Sequence, residues 1–171
     1  SRKIKFSISN YSAAIKTDGT LWTWGRNDVG QLGVGNTTDV SSPIQVGSDT
    51  DWYQLSVAVQ ENMLAVKTDG TLWGWGSQAQ GQLGQGNTTT YSSPVQVGSL
   101  TTWRNVQAGN KTTMADTTGN TLFAWGEGLD GLGNGDTTDK SSPVQVQSYS
   151  DVTAICGGAN SDPYFMFIRS A

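Results

Sequence analysis

Thr17-Asp18-Gly19-Thr20-Leu21-Trp22-Thr23-Trp24-Gly25 returns as Thr68-Asp69-Gly70-Thr71-Leu72-Trp73-Gly74-Trp75-Gly76, and again as Thr118-Gly119-Asn120-Thr121-Leu122-Phe123-Ala124-Trp125-Gly126. The closing glycines fall at 25, 76 and 126, so the steps are 51 and 50 residues. Self-similarity at a fixed period of this size marks a blade-like or solenoid array. Within each copy the residues alternate: Leu21 and Thr23 face one way, Trp22 and Trp24 the other, which is the period of a strand. Ala13-Ala14-Ile15-Lys16, just before the first copy, also reads as extended. Asp18-Gly19 and Asp69-Gly70 sit between the two runs and predict type I′ hairpins, while Gly119-Asn120 predicts a type II′ turn in the third copy.

Downstream of each hairpin lies a glycine-rich hook: Gly30-Gln31-Leu32-Gly33, Gly81-Gln82-Leu83-Gly84 and the shorter Gly131-Leu132-Gly133. Paired glycines permit turns that a Cβ would block, and the Gln amide can satisfy backbone groups inside the hook. The third hook lacks that Gln and is expected to be looser. Asn36-Thr37-Thr38, Asn87-Thr88-Thr89 and Asp136-Thr137-Thr138 then read as turns held by their own side chains. Each unit closes on Ser-Ser-Pro and a short strand (Pro43 to Val46, Pro94 to Val97, Pro143 to Val146), followed by another at Trp52 to Val57, Trp103 to Ala108 and Tyr149 to Ile155. Proline is tolerated at the first residue of a strand. No segment carries helical periodicity.

Each unit thus supplies about four short antiparallel strands, which cannot bury their apolar faces alone; radial stacking of neighbours gives an all-β propeller. The expected packing anchors are Trp22, Trp24, Trp73, Trp75 and Trp125 with the strand-closing Gly25, Gly76 and Gly126. Burying one such ring removes about 150–250 Å² from water, roughly 4–6 kcal/mol as an upper bound. Core packing is a better account of these rings than sugar stacking. Residues 1–171 read as a single repeat domain of about three blades plus the start of a fourth, with Val152 to Ile168 opening that fourth unit.

Composition narrows the function. Only 14% of residues are charged and the formal net charge is −4, which argues against a nucleic-acid backbone as partner. Arg2, Lys3 and Lys5 form the one basic cluster and read as protection of an exposed strand. Cys156 is the single cysteine, so no internal disulfide forms, and it reads as a small buried apolar residue. No run of about 18 apolar residues is present, so no membrane insertion is expected. The chain has no histidine for a triad or a zinc site, and no nucleophile elbow or phosphate loop. Asp28, Asp130, Asp136 and Asp139 lie in glycine-rich loops, but their spacing does not recur, so turn formation accounts for them better than calcium. Asn36, Asn87 and Asn110 match the glycosylation acceptor pattern, the first two within the repeat's own turn. A non-enzymatic chain with no metal or cofactor is expected.

These repeats resemble the regulator-of-chromosome-condensation family of propeller repeats. Asp-Gly-Thr-Leu-Trp-x-Trp-Gly, the Gly-Gln-Leu-Gly hook and the Pro-x-x-Val strand carry the resemblance over nearly the whole chain. It implies a propeller of seven blades, about 50 residues each, needing roughly 360 residues. At 171 residues the chain is expected to be part of a longer propeller, or to have its ring completed by other copies or another chain. The family's inner-strand histidine, expected near Ala108-Gly109, is missing. So is the Gly-Trp-Arg-His-Thr motif of the family's plant ultraviolet sensor, which sets light sensing aside.

Variation between copies points to the binding surface. Equivalent loops read Arg26-Asn27-Asp28-Val29, Ser77-Gln78-Ala79-Gln80 and Glu127-Gly128-Leu129-Asp130, and a second variable set reads Asp39-Val40, Thr90-Tyr91 and Asp139-Lys140. Divergent loops on a rigid scaffold are how binding surfaces are built. Arg26, Asp28, Gln78, Gln80, Glu127 and Asp130 are the expected partner-facing residues, with Tyr91 as an exposed aromatic contact. The expected role is a binding or assembly scaffold for a protein partner, with surface glycan second. The polar, lysine-poor composition suits a secreted, cell-surface or virion-appendage setting. The family also includes a secreted bacterial inhibitor propeller that binds an enzyme through its loop face. The alternative implied by the resemblance is a chromatin-bound nucleotide-exchange regulator of a small GTPase.

Overall fold

The computed structural model describes residues 10–128, 132–146, 152–157 and 165–169. Every regular element among them is a strand. The first sheet holds β1 (Tyr11–Ile15), β2 (Leu21–Gly25) and β3 (Val40–Gln45) in that order. The second holds β4 (Trp52–Val57), β5 (Asn62–Lys67), β6 (Leu72–Gly76) and β7 (Tyr91–Gln96). The third holds β8 (Trp103–Ala108), β9 (Thr112–Thr117), β10 (Leu122–Gly126) and β11 (Lys140–Gln145). β12 (Val152–Gly157) and β13 (Phe165–Arg169) pair antiparallel where the sequence predicts the opening of a fourth unit. All pairings among the described strands are antiparallel. The sequence unit and the sheet are out of phase: β4 follows β3 in the chain but pairs with β5.

The hairpins form where expected, but with different turns. Gly19 N–H donates to Lys16 O (3.0 Å) and Lys16 N–H to Thr20 O (2.9 Å), and of the turn residues only Gly19 has a positive φ (+85°). A type I′ turn needs two left-handed residues; this is the three-residue loop that ends on a single one. Gly70 repeats it. In the third copy Asn120 takes that position (φ +59°), while Gly119 does not, so the type II′ expectation is also corrected. A short polar side chain tolerates the left-handed region, which lets the glycine slip one residue.

Inside the first two turns the repeat's Asp-Gly-Thr-Leu-Trp becomes a hydrogen-bonded relay. Trp22 Nε1 donates to Thr20 Oγ1 (2.9 Å), whose hydroxyl donates to Asp18 Oδ1 (2.6 Å). Trp73, Thr71 and Asp69 do the same at 2.8 and 2.7 Å. These bonds hold both carboxyls below their usual range, the threonine hydroxyl bond leading at Asp18 and the threonine backbone bond at Asp69.

The core lies between sheets. Tyr11, Ala13, Leu21 and Leu32 of the first sheet pack against Trp52, Leu55, Met63 and Trp75 of the second. Leu64, Leu72, Leu83 and Val97 then pack against Trp103, Val106, Ala115 and Trp125. β5 is buried along both faces because it has a sheet on either side. The hook is the clasp of this stack. Trp75 Nε1 donates to Gln31 O (3.1 Å) in the preceding hook, and Trp125 Nε1 to Gln82 O (2.9 Å). A Cβ on Gly33 would stand 2.6 Å from Trp75 Nε1, and one on Gly84 2.8 Å from Trp125 Nε1. Gly35 N–H reaches Ser92 O across the same joint (2.8 Å), and Gly86 N–H reaches Ser141 O (2.7 Å). The Gln side chains work as expected: Gln31 Oε1 accepts from Val29 N–H and Gln82 Oε1 from Gln80 N–H, both at 3.0 Å.

The tryptophan anchors therefore divide. Trp75 and Trp125 are fully buried clasps, whereas Trp22, Trp24 and Trp73 are half-buried. Gly25, Gly76 and Gly126 close β2, β6 and β10 at a register shift, where a Cβ would come within 2.5, 2.3 and 2.2 Å of a backbone oxygen. Nearest the next sheet, β4 runs beside β8. Gln54 Nε2 donates to Val106 O (2.9 Å), its Oε1 accepts from Val106 N–H (3.0 Å), and Ser56 Oγ accepts from Ala108 N–H (2.8 Å).

Candidate functional site

Antiparallel alternation gives the stack two ends. One carries the long β2–β3, β6–β7 and β10–β11 loops together with the β4–β5 and β8–β9 links; the other carries the tight hairpins and the links 46–51 and 97–102. The variable residues gather at the loop end.

Arg26 is exposed and makes ion pairs with Asp28 of its own loop and, at 2.6 Å, with Glu61 of the second sheet. The bond to Asp28 leads in pushing the guanidinium above its ordinary value. Asp28 is held below the usual carboxylate range, first by Gln31 Nε2 (3.1 Å) and then by Arg26. In the third sheet Glu127 pairs with Lys111 at 2.9 Å. Asp136 accepts from Lys140, which heads the causes that draw its carboxyl down to about 2. Gln80 is half-exposed in the equivalent loop of the second sheet.

Two expected contacts are corrected. Gln78 is fully buried: Nε2 donates to Asn87 Oδ1 and Thr89 O, both at 2.8 Å, pinning its own loop. Asn27 does the same in the first sheet through Asn36 O (2.9 Å) and Thr38 O (3.0 Å), so this loop position is an internal brace. Tyr91 is half-buried, packs against both inter-sheet cores, and its hydroxyl accepts from Asn87 Nδ2 (3.0 Å). Its bulk fills the joint. Asp130 lies outside the described residues. Asp39 and Asp139 form turns, accepting from Asn27 N–H (2.8 Å) and Gly128 N–H (2.9 Å).

Glu61 and Lys111 were not among the sequence candidates, yet they complete the charged rim. Their signal was available: they share a repeat position, 50 residues apart, and carry opposite charges. Glu61 also has a left-handed backbone (φ +62°), and Val59 beside it is 51% exposed.

The hairpin end is built differently. Lys67 is buried with its ammonium 2.6 Å from Asp49 and 3.3 Å from Asp51, and 4.9 and 4.8 Å from the centroids of the Trp52 and Trp73 rings. Burial works to lower its pKa, and the two carboxylates outweigh that and raise it. In the third sheet the equivalents of Asp49, Asp51 and Lys67 are Leu100, Thr102 and Thr117, while Trp103 and Phe123 keep the aromatic pair, with centroids 5.1 Å apart. Asp116 is fully buried and held by Arg104 (2.9 Å) and by the backbone (3.0 Å) and amide (2.9 Å) of Asn105. A cleft of about 380 Å³ opens between the second and third sheets here, with Tyr53, Lys67, Asp69, Thr101, Trp103 and Arg104 in its wall.

Among the described residues no group of three acidic, cysteine or histidine side chains is placed to hold a metal. Among them no helix is long and apolar enough to cross a membrane.

The regulator of chromosome condensation (RCC1) repeat model matches residues 18–59, 69–115 and 120–161. The human E3 ubiquitin-protein ligase HERC2 is 33% identical over 125 residues, covering 70% of this chain and 3% of the ligase. The ultraviolet-B receptor UVR8 of Arabidopsis thaliana is 36% identical over 125 residues, 71% of this chain and 28% of the receptor. The chain thus spans less than a third of the length of these curated relatives. Among solved structures, yeast RCC1 (Prp20) bound to Kap60 superposes with a TM-score of 0.78 at 18% identity, covering 98% of this chain and 43% of that one. Human WBSCR16 gives 0.70 at 26% identity over 80% of this chain and 35% of that one. Three matched repeats and a shared all-β architecture agree: the chain belongs to the RCC1 repeat family of β-propellers.

Proposed function

We propose that the chain is a non-enzymatic β-propeller scaffold that binds a protein partner through its loop end. One observation carries this reading. A frame repeated almost residue for residue presents Arg26, Ser77 and Glu127 at one loop position, and Glu61 and Lys111 at another. The clasp positions hold still while rim charges change sign, which is the pattern of a surface under a recognition demand rather than a packing demand. Asp28 and Gln80 belong to the same rim; Gln78 and Tyr91 support it from beneath. Single domains of this kind bind through a few anchors, with charged rims setting orientation and on-rate.

The exchange-factor alternative rests on kinship with Prp20p, a structure described with its binding to Gsp1p and histones. Both readings meet in one experiment. The immobilised chain is presented to nucleotide-loaded Gsp1p, to core histones and to Kap60, in parallel with an Arg26→Glu/Glu127→Lys variant of unchanged circular dichroism. Binding that the charge reversal removes supports the loop-end reading, and binding indifferent to it sinks that reading. Accelerated nucleotide release from Gsp1p would replace the scaffold by the exchange factor.

A secreted, cell-surface or virion-appendage setting is part of the proposal and is supported by composition alone, through the low charge and the Ser, Thr, Asn, Gln-rich surface. An antibody against the chain should label intact source cells or virions; labelling confined to permeabilised cells would remove that setting.

A further inference from the structure

We propose that the hairpin-end cleft between the second and third sheets binds a neutral saccharide. The cleft measures about 380 Å³, a size suited to a small ligand. Its existence follows from the repeat. At the first joint the corner beside Trp52 is filled by the Lys67 ammonium with Asp49 and Asp51 around it. At the second joint the equivalent residues are Thr117, Leu100 and Thr102, so that cluster is not rebuilt beside Trp103, and Lys67 and Arg104 stand in the cleft wall instead.

The wall has the chemistry of polyol recognition. Tyr53 projects from β4 into the cleft with 48% of its surface exposed, a flat ring of the kind on which the C–H face of a pyranose rests. Trp103, 4% exposed, backs the cleft; its indole N–H has no acceptor in the protein, as is also true of Trp52 at the first joint. Thr101 and Thr118 are exposed on one side, and Thr68 with the Asp69 carboxylate on the other, so the cleft offers donors and acceptors together.

Charge selects against the other ligands that such a cleft could take. The cations in the wall are already matched: Lys67 by Asp49 and Asp51, Arg104 by the buried Asp116. A phosphate or an acidic peptide gains no net positive field and meets Asp69 at the rim. A neutral, hydroxyl-rich ligand meets no such penalty. The site lies at the opposite end from the charged loop rim and stands independently of the protein-binding reading.

The test uses the full chain on a printed glycan array, followed by calorimetric titration with chitobiose, cellobiose and lactose. The expected result is saturable binding of at least one glycan, weakened tenfold or more by Tyr53→Ala and abolished by Thr101→Trp, which fills the mouth of the cleft from an exposed position. Both variants should melt with the parent, and Ser42→Ala on the outer strand β3 should bind as the parent does. A flat array with no heat from the three sugars overturns the proposal. Binding that survives both cleft variants overturns it too, as does a response to inorganic phosphate or a polyglutamate peptide instead.

Discussion

At the joint between the first and second sheets, the Tyr11 hydroxyl crosses over to Ala58 O and lies 3.0 Å from Asn62 O. One repeat later the same position is Asn62, which is buried with neither its amide nitrogen nor its oxygen hydrogen-bonded within the protein. Asn is too short to span the joint that Tyr closes. The hook shows a parallel difference. Gln31 Nε2 donates to Asp28, whereas Gln82 Nε2 has no partner because the equivalent of Asp28 is Ala79. Yet the indole-to-hook bond and the glycine-to-serine bond are retained at both joints. The clasp is what makes the array, and the polar fillings around it are free to drift. The second joint has lost the counterparts of the Tyr11 hydroxyl and Gln31 amide bonds, and a cleft opens at one end of it.

The sharpest way to break this comparison is to remove the clasp. Trp75→Ala should cost about 3–5 kcal/mol in denaturant unfolding, Trp125→Ala a similar amount, and Trp24→Ala distinctly less because that ring is only half-buried. Equal losses at all three would mean that the anchors act as generic apolar bulk. Next comes the receiving side. Gly33→Ala combines a left-handed backbone with an obstructed indole and should cost about 2–5 kcal/mol. Gly47→Ala, also left-handed but with nothing within 4 Å, should cost only the backbone share, about 1–2 kcal/mol.

The filling gives smaller effects. Burial, and secondarily Glu61, push the Tyr11 hydroxyl well above its ordinary value. Its folded-state pKa is raised, so the stability it contributes is present below the unfolded value of about 10 and is lost as pH rises through and beyond it. Melting followed against pH should fall above about pH 10, and Tyr11→Phe should flatten that fall while costing about 0.5–1.5 kcal/mol at neutral pH. Smallest of all, Ala79→Asp should return a carboxylate partner to Gln82 Nε2 and gain about 0.5–1 kcal/mol. No gain, with the introduced carboxylate shown by crystallography to point away, would mean that the two hooks are not equivalent at this level.

The strands, the stacking and the anchor positions were legible because periodicity and turn residues act locally, and three copies reinforce one another. The turn subtype was not: Asp18-Gly19 is compatible with two hairpin loops, and the Thr20 side chain, by engaging Asp18, accompanies the longer one. The burial of Gln78 was hidden because a polar residue in a variable loop reads as surface until its acceptors, Asn87 and Thr89, are seen folding back over it. Tyr91 reads as surface for a related reason. Its neighbours Ser92 and Ser93 are small because a hook of the preceding sheet lies on them, and the same proximity draws the ring inward. Glu61 escaped notice because its partner Arg26 stands on another sheet, and pairings between sheets leave no local mark in a sequence.

Every clasp points the same way: an indole from the later sheet enters a hook supplied by the earlier one. During synthesis on a ribosome, the socket is therefore finished before its plug emerges. The second and third sheets each find their template waiting. A circular permutation that leaves this order intact should be tolerated, whereas one that cuts between a hook and the tryptophan it receives would make the plug wait for its socket, and should be caught by aggregation on the way.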